Sequence, residues 1–319
     1  MALLVLGVFA SAIFGGLHVV APVVQATPAE APSMWPFLFI TIACGAISGF
    51  HSLVSSGTSA KQVKQEEDAV FVGYGSMIME GMLATLVIIA VAAGIGMAYQ
   101  TKDGGILTGT AAWTAHYQSW GAANGLGSKV GAFVEGSANM IAVLGIPKFI
   151  AIIIMGVFVA SFAGTTLDTA TRIQRYVVQE LSTDLKIKFM ENKYVATAFA
   201  VITAGILAFS TGTSGAGALK LWPLFGAVNQ VLAGLALITI TSYLKKQGGL
   251  KFLFTGIPGL FMIIMTAWAL LGNERNFITA KNGLLLAINA VVIVIVAWLI
   301  VEGILNLFLN GKKLAEDAK

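Results

Sequence analysis

The chain is built from apolar runs that contain almost no charge. Eight are long enough to cross a bilayer: 2–24, 34–56, 70–99, 147–171, 194–210, 219–244, 252–272 and 283–309. A span needs about 20 predominantly apolar residues, so these runs and their loops account for nearly all of the 319 positions. Only 11% of the residues are charged and 57% are hydrophobic, against roughly 25% charge in an ordinary soluble domain. Such a chain cannot cover a soluble globule with polar groups, and it is too apolar to be disordered. The expectation is an all-α polytopic membrane protein of about eight transmembrane helices. It would form a single transmembrane domain over 1–310, followed by a short cytoplasmic tail over 311–319.

Alternate loops sort the basic residues to two sides. One side carries Lys61, Lys64, Arg172, Arg175, Lys245, Lys246, Lys251 and others, 13 of the 19 Lys and Arg in all. The positive-inside rule makes that side cytoplasmic, with both termini on it. The net charge of +4 then reflects loop asymmetry, and no nucleic-acid partner is expected. No Lys or Arg precedes Lys61, so 2–24 lacks the positive start of a secretory signal and reads as a span. The lone cysteine, Cys44, excludes an internal disulfide. The segment 100–146 is too polar for a confident span, being interrupted by Glu135, Ser137 and Asn139. It reads as a helical hairpin or re-entrant piece capping the outer face.

Polar groups at membrane depth are the candidate functional residues, because each is costly there without a partner or a wet cavity. The second run holds Cys44, Gly45, Ser48, Gly49, His51 and Ser52, continuing to Ser55, Ser56, Gly57 and Thr58. Glycine and serine in that density suit a broken helix whose freed backbone lines a substrate site. They also suit a continuous helix packed through small residues. His51 could relay protons, bind an anion or serve packing alone. In the third run Glu80 lies too deep for a short carboxylate to snorkel, so it must be protonated or paired, as a proton-coupled carrier requires. Ser161 and Thr165 share a helix face by their i, i+4 spacing, with Thr166 beside them. Their oxygens are the hard ligands that sodium prefers, or ordinary hydroxyls bonded to their own helix. Asn229 and Gln230 place two amides about two turns into the sixth run, to line a pathway or to tie helices together. No GxSxG, HExxH or P-loop signature and no Cys/His set is present, so neither an enzyme nor a cofactor is expected.

Four stretches occur together in order. They are Cys44–Ser52 through Gly57-Thr58-Ser59-Ala60-Lys61-Gln62; Gly73-Tyr74-Gly75-Ser76-Met77 with Glu80-Gly81; Ser161-Phe162-Ala163-Gly164-Thr165-Thr166-Leu167-Asp168 through Gln179-Glu180-Leu181; and Leu221-Trp222-Pro223-Leu224-Phe225-Gly226 with Asn229-Gln230. Across roughly 36–235 the chain resembles the carbon starvation protein A family, CstA. The resemblance implies a transporter of the cytoplasmic (inner) membrane linked to the starvation response, importing peptides or, in some relatives, pyruvate. It also implies a fold of the amino acid–polyamine–organocation (LeuT-like) type. On that fold 2–244 corresponds to the second inverted repeat, 34–56 to its broken helix, and 252–309 to two peripheral helices. In a transporter of this kind the polar residues at depth would give substrate contact through Cys44, Gly45, Ser48, Gly49, His51, Ser52, Asn229 and Gln230, and proton coupling through Glu80 and His51. A sodium ion, where sodium is the coupling ion, would fall to Ser161, Thr165 and Thr166. The family's N-terminal half is missing from this pattern, so the expectation is a chain that transports only with that half supplied. The alternative is a regulatory or sensory membrane subunit, or a non-transporting fragment.

Overall fold

The structure, a computed structural model, describes residues 1–308 apart from 27, 102, 122 and 124. The expected tail over 311–319 lies outside the described residues. In chain order the helices are α1 (Ala2–Phe14), α2 (Phe39–Ala46), α3 (Gly49–Val54), α4 (Asp68–Val70), α5 (Ser76–Ala92), α6 (Gly109–His116), α7 (Leu126–Ala142), α8 (Lys148–Asp184), α9 (Lys193–Phe209), α10 (Trp222–Lys246), α11 (Leu253–Thr279) and α12 (Gly283–Phe308). Two short strands, β1 (Tyr99–Gln100) and β2 (Ile106–Leu107), pair antiparallel. The protein is thus an all-α membrane protein in its architecture.

Among the described residues six helical stretches are long and apolar enough to cross a membrane: Met34–Ser59, Asp68–Met97, Lys148–Asp184, Leu224–Lys246, Leu253–Thr279 and Gly283–Glu302. The other two expected spans are apolar but shorter. α9 has 17 residues. α1 has 13, about 20 Å of helix against the roughly 30 Å of a hydrocarbon core. It stops at Gly15–Gly16, where Gly16 turns left-handed at φ 64° and the amides of Gly15 and Leu17 both close on the Ser11 carbonyl. Glycine adopts that conformation without a Cβ penalty and so ends the helix inside the apolar run. The opposite deviation occurs at α8. The helix does not stop near 171 but continues to Asp184, because no glycine or proline interrupts the polar stretch beyond Thr171.

The chain packs as two compact units. The first comprises Met1–Ala31 and Val63–Asp168. Its centre is α7, whose Ala138, Met140 and Ile141 are fully buried against Leu4, Leu86, Ala90, Ala151 and Met155. α7 therefore forms the core of this unit. The polar residues that made the segment look unfit to span are turned onto neighbouring backbone. Asn139 Nδ2 donates to the carbonyls of Gly94 (2.9 Å) and Ala98 (2.8 Å). Glu135 Oε1 accepts from the Gln100 amide (3.0 Å) and pairs with Lys148 Nζ (3.4 Å). Gly136 allows α7 to lie directly on the end of α5, since a Cβ there would meet the Ala90 carbonyl.

The second unit comprises Pro32–Gln62 and Thr169–Lys319. α10 packs along α11, and α12 closes on both, with Ala227, Leu270 and Val296 buried between them. Within this trio Asn289 Nδ2 donates to the Leu270 carbonyl (3.0 Å) and to Glu274 Oε2 (2.5 Å). α2 and α3 pack on the other part of α10, and this junction holds the candidate site.

Candidate functional site

The stretch Met34–Ser59 is not one helix. α2 ends at Ala46, Ile47 and Ser48 are extended (φ −133°, ψ 105° and φ −129°, ψ 132°), and α3 restarts at Gly49. The Ile47 amide still closes on the Ala43 carbonyl (2.7 Å) and the Ser48 carbonyl accepts from the Ser52 amide (3.2 Å), so it is the amides that open α3 that need other partners. Ser48 supplies one as the N-cap of α3, its Oγ accepting from the His51 amide at 3.5 Å. Asn229 of α10 supplies another and ties in two side chains. Its Oδ1 accepts from the Phe50 amide (2.8 Å) and from Ser48 Oγ (3.2 Å). Its Nδ2 donates to Ser48 Oγ (3.0 Å) and to Cys44 Sγ (3.0 Å). One side chain, 4% exposed, thus bridges both halves of the broken helix.

Close approach makes this clasp possible. A Cβ on Gly49 would meet Leu232 Cβ and the Asn229 carbonyl, and would lie 2.9 Å from the Ala233 amide nitrogen. Only glycine lets α3 rest on the α10 backbone at that distance. Gly45 faces open space, and Ser52 Oγ donates to the Gly49 carbonyl at 2.7 Å. His51 is exposed, with its ring tilted beside Phe50. Gln230 follows Asn229 but is fully buried, and neither its amide nitrogen nor its oxygen has a hydrogen-bond partner among the described residues. A buried amide in that condition carries its full desolvation cost, so its presence calls for a reason.

The structure therefore brings Cys44, Ser48, Gly49 and Asn229 into one cluster, with Gly45, His51 and Ser52 on the same broken helix and Gln230 next along α10. The other sequence candidates lie elsewhere. Glu80 is exposed on α5, in the first unit. Ser161, Thr165 and Thr166 also fall in the first unit. Thr165 Oγ1 donates to the Ser161 carbonyl (3.0 Å) and Thr166 Oγ1 to the Phe162 carbonyl (3.1 Å), the local back-bonding that mid-helix hydroxyls adopt.

Two polar arrangements carried no recognisable sequence signal. One is the Asn289–Glu274–Leu270 tie. The other is His116, 9% exposed between Tyr99 Oη (3.3 Å) and Ser128 Oγ (3.4 Å). Burial pushes its imidazole below the ordinary histidine range, against the opposing pull of Glu135 and Ser128. Among the described residues no group of three His, Cys, Asp or Glu side chains could hold a metal ion.

Comparison with known proteins adds an independent observation. The family model described as carbon starvation protein CstA matches residues 1–269, a range that includes both halves of the broken helix and all of α10. The peptide transporter CstA of Helicobacter pylori is 33% identical over 273 residues, covering 76% of this chain and 40% of that protein. The pyruvate/proton symporter BtsT of Escherichia coli is 33% identical over 292 residues, covering 75% and 40%. The peptide transporter CstA of Escherichia coli is 32% identical over 300 residues, covering 82% and 42%. The chain spans about two fifths of the length of the curated relatives it matches. No solved structure matches it.

Proposed function

Because the chain belongs to the carbon starvation protein CstA family, we propose that it supplies the substrate-binding core of a secondary active transporter. The cargo is a short peptide or a small carboxylate such as pyruvate, imported across the cytoplasmic membrane with proton or sodium coupling. The observation that carries this reading is the break at Ile47–Ser48, clasped by Asn229. A helix interrupted at membrane depth survives only facing protein or a wet cavity, and transporters bind substrate at such breaks. Backbone groups and hydroxyls there offer donors and acceptors together, which suits a zwitterionic peptide or a carboxylate.

In this reading Cys44, Gly45, Ser48, Gly49, His51 and Ser52 form the substrate wall. Asn229 keeps the break in shape and Gln230 offers its amide to the cargo. Glu80 and His51 carry the coupling proton. Ser161, Thr165 and Thr166 hold sodium where sodium is the coupling ion. The wider arrangement proposed is eight spans with both termini cytoplasmic. The region 2–244 acts as a LeuT-like second repeat, and the helices of 252–309 are peripheral to it. Uptake then requires the further helices that the longer relatives carry. The test is uptake of labelled alanyl peptides and of pyruvate by proteoliposomes under imposed proton or sodium gradients. It is made with a longer relative and with this chain alone. The expected result is uptake by the longer protein that Asn229→Ala at the matching position abolishes. Gradient-driven uptake by this chain alone would refute the need for a second half, and undiminished uptake by the Asn229→Ala variant would refute the site.

A further inference from the structure

We infer that Arg175 and Lys61 form a binding site for one phosphomonoester group. Both lie in the second unit, and both are drawn to a single ring. Arg175 Cζ lies 4.8 Å and Lys61 Nζ 5.2 Å from the ring centroid of Tyr176. A tyrosine face attracts each cation weakly, but two cations at one ring repel each other. Neither forms an ion pair among the described residues. The neighbouring sequence offers little to offset the repulsion. No Asp or Glu occurs in 32–62, and Glu180 and Asp184, which follow Arg175 on α8, make no ion pair with it. Arg175 Nε is enclosed without a hydrogen-bond partner among the described residues, and on the turn before Lys61 the Thr58 hydroxyl is in the same condition. An enclosed polar group left unbonded bears its full desolvation cost.

The donors identify the occupant. A guanidinium offers its Nε–H and a terminal N–H as a fork that matches two oxygens of one oxyanion. A halide presents no such pair, and a carboxylate brings one charge to two cations. A phosphomonoester brings about −1.5 to −2 charge and three acceptor oxygens, enough for the fork, for Lys61 and for the Thr58 hydroxyl. Lys61 is exposed on a flexible stem and can draw back to admit it. The location agrees with this chemistry. Arg175 stands about 40 Å along α8 from Lys148, beyond the roughly 30 Å of a hydrocarbon core. Lys61 comes just after the apolar stretch Met34–Ser59. Both cations therefore meet headgroups and water, where a phosphomonoester is a free phosphate ion or the headgroup of phosphatidic acid. Once bound, it ties the end of the broken-helix stretch to α8. The inference does not depend on the transport reading.

The test uses the delipidated 319-residue chain in detergent at constant ionic strength. Equilibrium dialysis measures uptake of radiolabelled inorganic phosphate. Native mass spectrometry compares retention of dioleoyl phosphatidic acid with that of dioleoyl phosphatidylcholine. One phosphomonoester per chain is expected. Arg175→Gln should weaken it at least about tenfold, as loss of a charge-assisted hydrogen bond does, and Lys61→Gln roughly fivefold. Arg175→Lys should lose less than Arg175→Gln, and Lys251→Gln, at an exposed lysine elsewhere, should change nothing. Lys61→Glu should abolish binding, and because Lys61 is exposed it tests the site even where an Arg175 variant fails to fold. Saturable phosphate uptake that phosphatidic acid displaces assigns the site to the phosphomonoester from either source. Retention of phosphatidic acid without phosphate uptake assigns it to the lipid. No saturable phosphate uptake together with equal retention of the two lipids overturns the inference. So does binding that Arg175→Gln and Lys61→Glu leave intact, or a Lys251→Gln effect as large as that of Lys61→Gln.

Discussion

Replacing Asn229 by alanine removes every bond that ties the two halves of the broken helix to α10 through this side chain. The Phe50 amide loses its acceptor at 2.8 Å, and a buried donor left unpaired costs about 1–3 kcal/mol. The bonds to Ser48 Oγ and Cys44 Sγ add about 0.6 kcal/mol each, the average for polar side chains between membrane helices. The total is roughly 2–4 kcal/mol against the closed geometry, or about 30- to 700-fold in the population of the opened break. Cys44 reports this directly, because it is the single cysteine of the chain and touches Asn229. In the purified chain in detergent, N-ethylmaleimide should label Cys44 at least tenfold faster in Asn229→Ala than in the parent. Asn229→Asp retains an acceptor for the Phe50 amide and should fall between the two. A labelling rate within twofold of the parent in Asn229→Ala would show that the clasp does not hold the break, and the argument for this site would fail with it.

Further predictions follow from the same geometry. Gly49→Ala forces α3 off α10 and should destabilise the folded chain by about 1–3 kcal/mol, the usual cost of overpacking. Gly45→Ala points into open space inside α2 and should raise the stability to thermal unfolding in detergent by about 0.5–1 kcal/mol. Burial holds the His116 pKa below its unfolded value of about 6.5, so the unfolded state takes up the proton first. The contribution of the neutral ring is then fully present above pH 6.5 and is lost as the pH falls from there toward the folded value. Protection factors over α6, which correct for the slower intrinsic exchange at low pH, should fall between pH 7.5 and pH 5, and His116→Gln should remove that fall. Glu80→Gln, placed at the matching position of a longer relative, should abolish uptake driven by a proton gradient in proteoliposomes. Unchanged proton-driven uptake would remove Glu80 from the coupling role.

The broken helix was legible because its signal is local. Gly45, Ser48 and Gly49 within five positions weaken a helix wherever they occur. The partner was half legible, since Asn229 and Gln230 announced themselves as amides in an apolar run. Nothing in the sequence said which would clasp and which would stand unbonded, because the choice depends on the angle at which α10 meets α3. The limits of α1 were misread for a related reason. Hydropathy runs on through Gly15–Gly16, whereas a left-handed glycine ends the helix regardless of apolarity. In 100–146 the polar residues argued against burial, yet Glu135 and Asn139 are satisfied by backbone amides and carbonyls of residues 94–100.

Composition and spacing alone establish a helical membrane protein, its apolar segments, and a short roster of polar groups at depth that resembles one transporter family. These properties are additive along the chain, since transfer free energy and helix propensity are summed residue by residue. Pairing is not additive. Asn229 meets Phe50 across 179 positions, α7 becomes a core, and Gly49 lets α3 rest on the α10 backbone. Each of these depends on which backbones approach within a few ångströms, and that is set by packing between segments distant in the sequence.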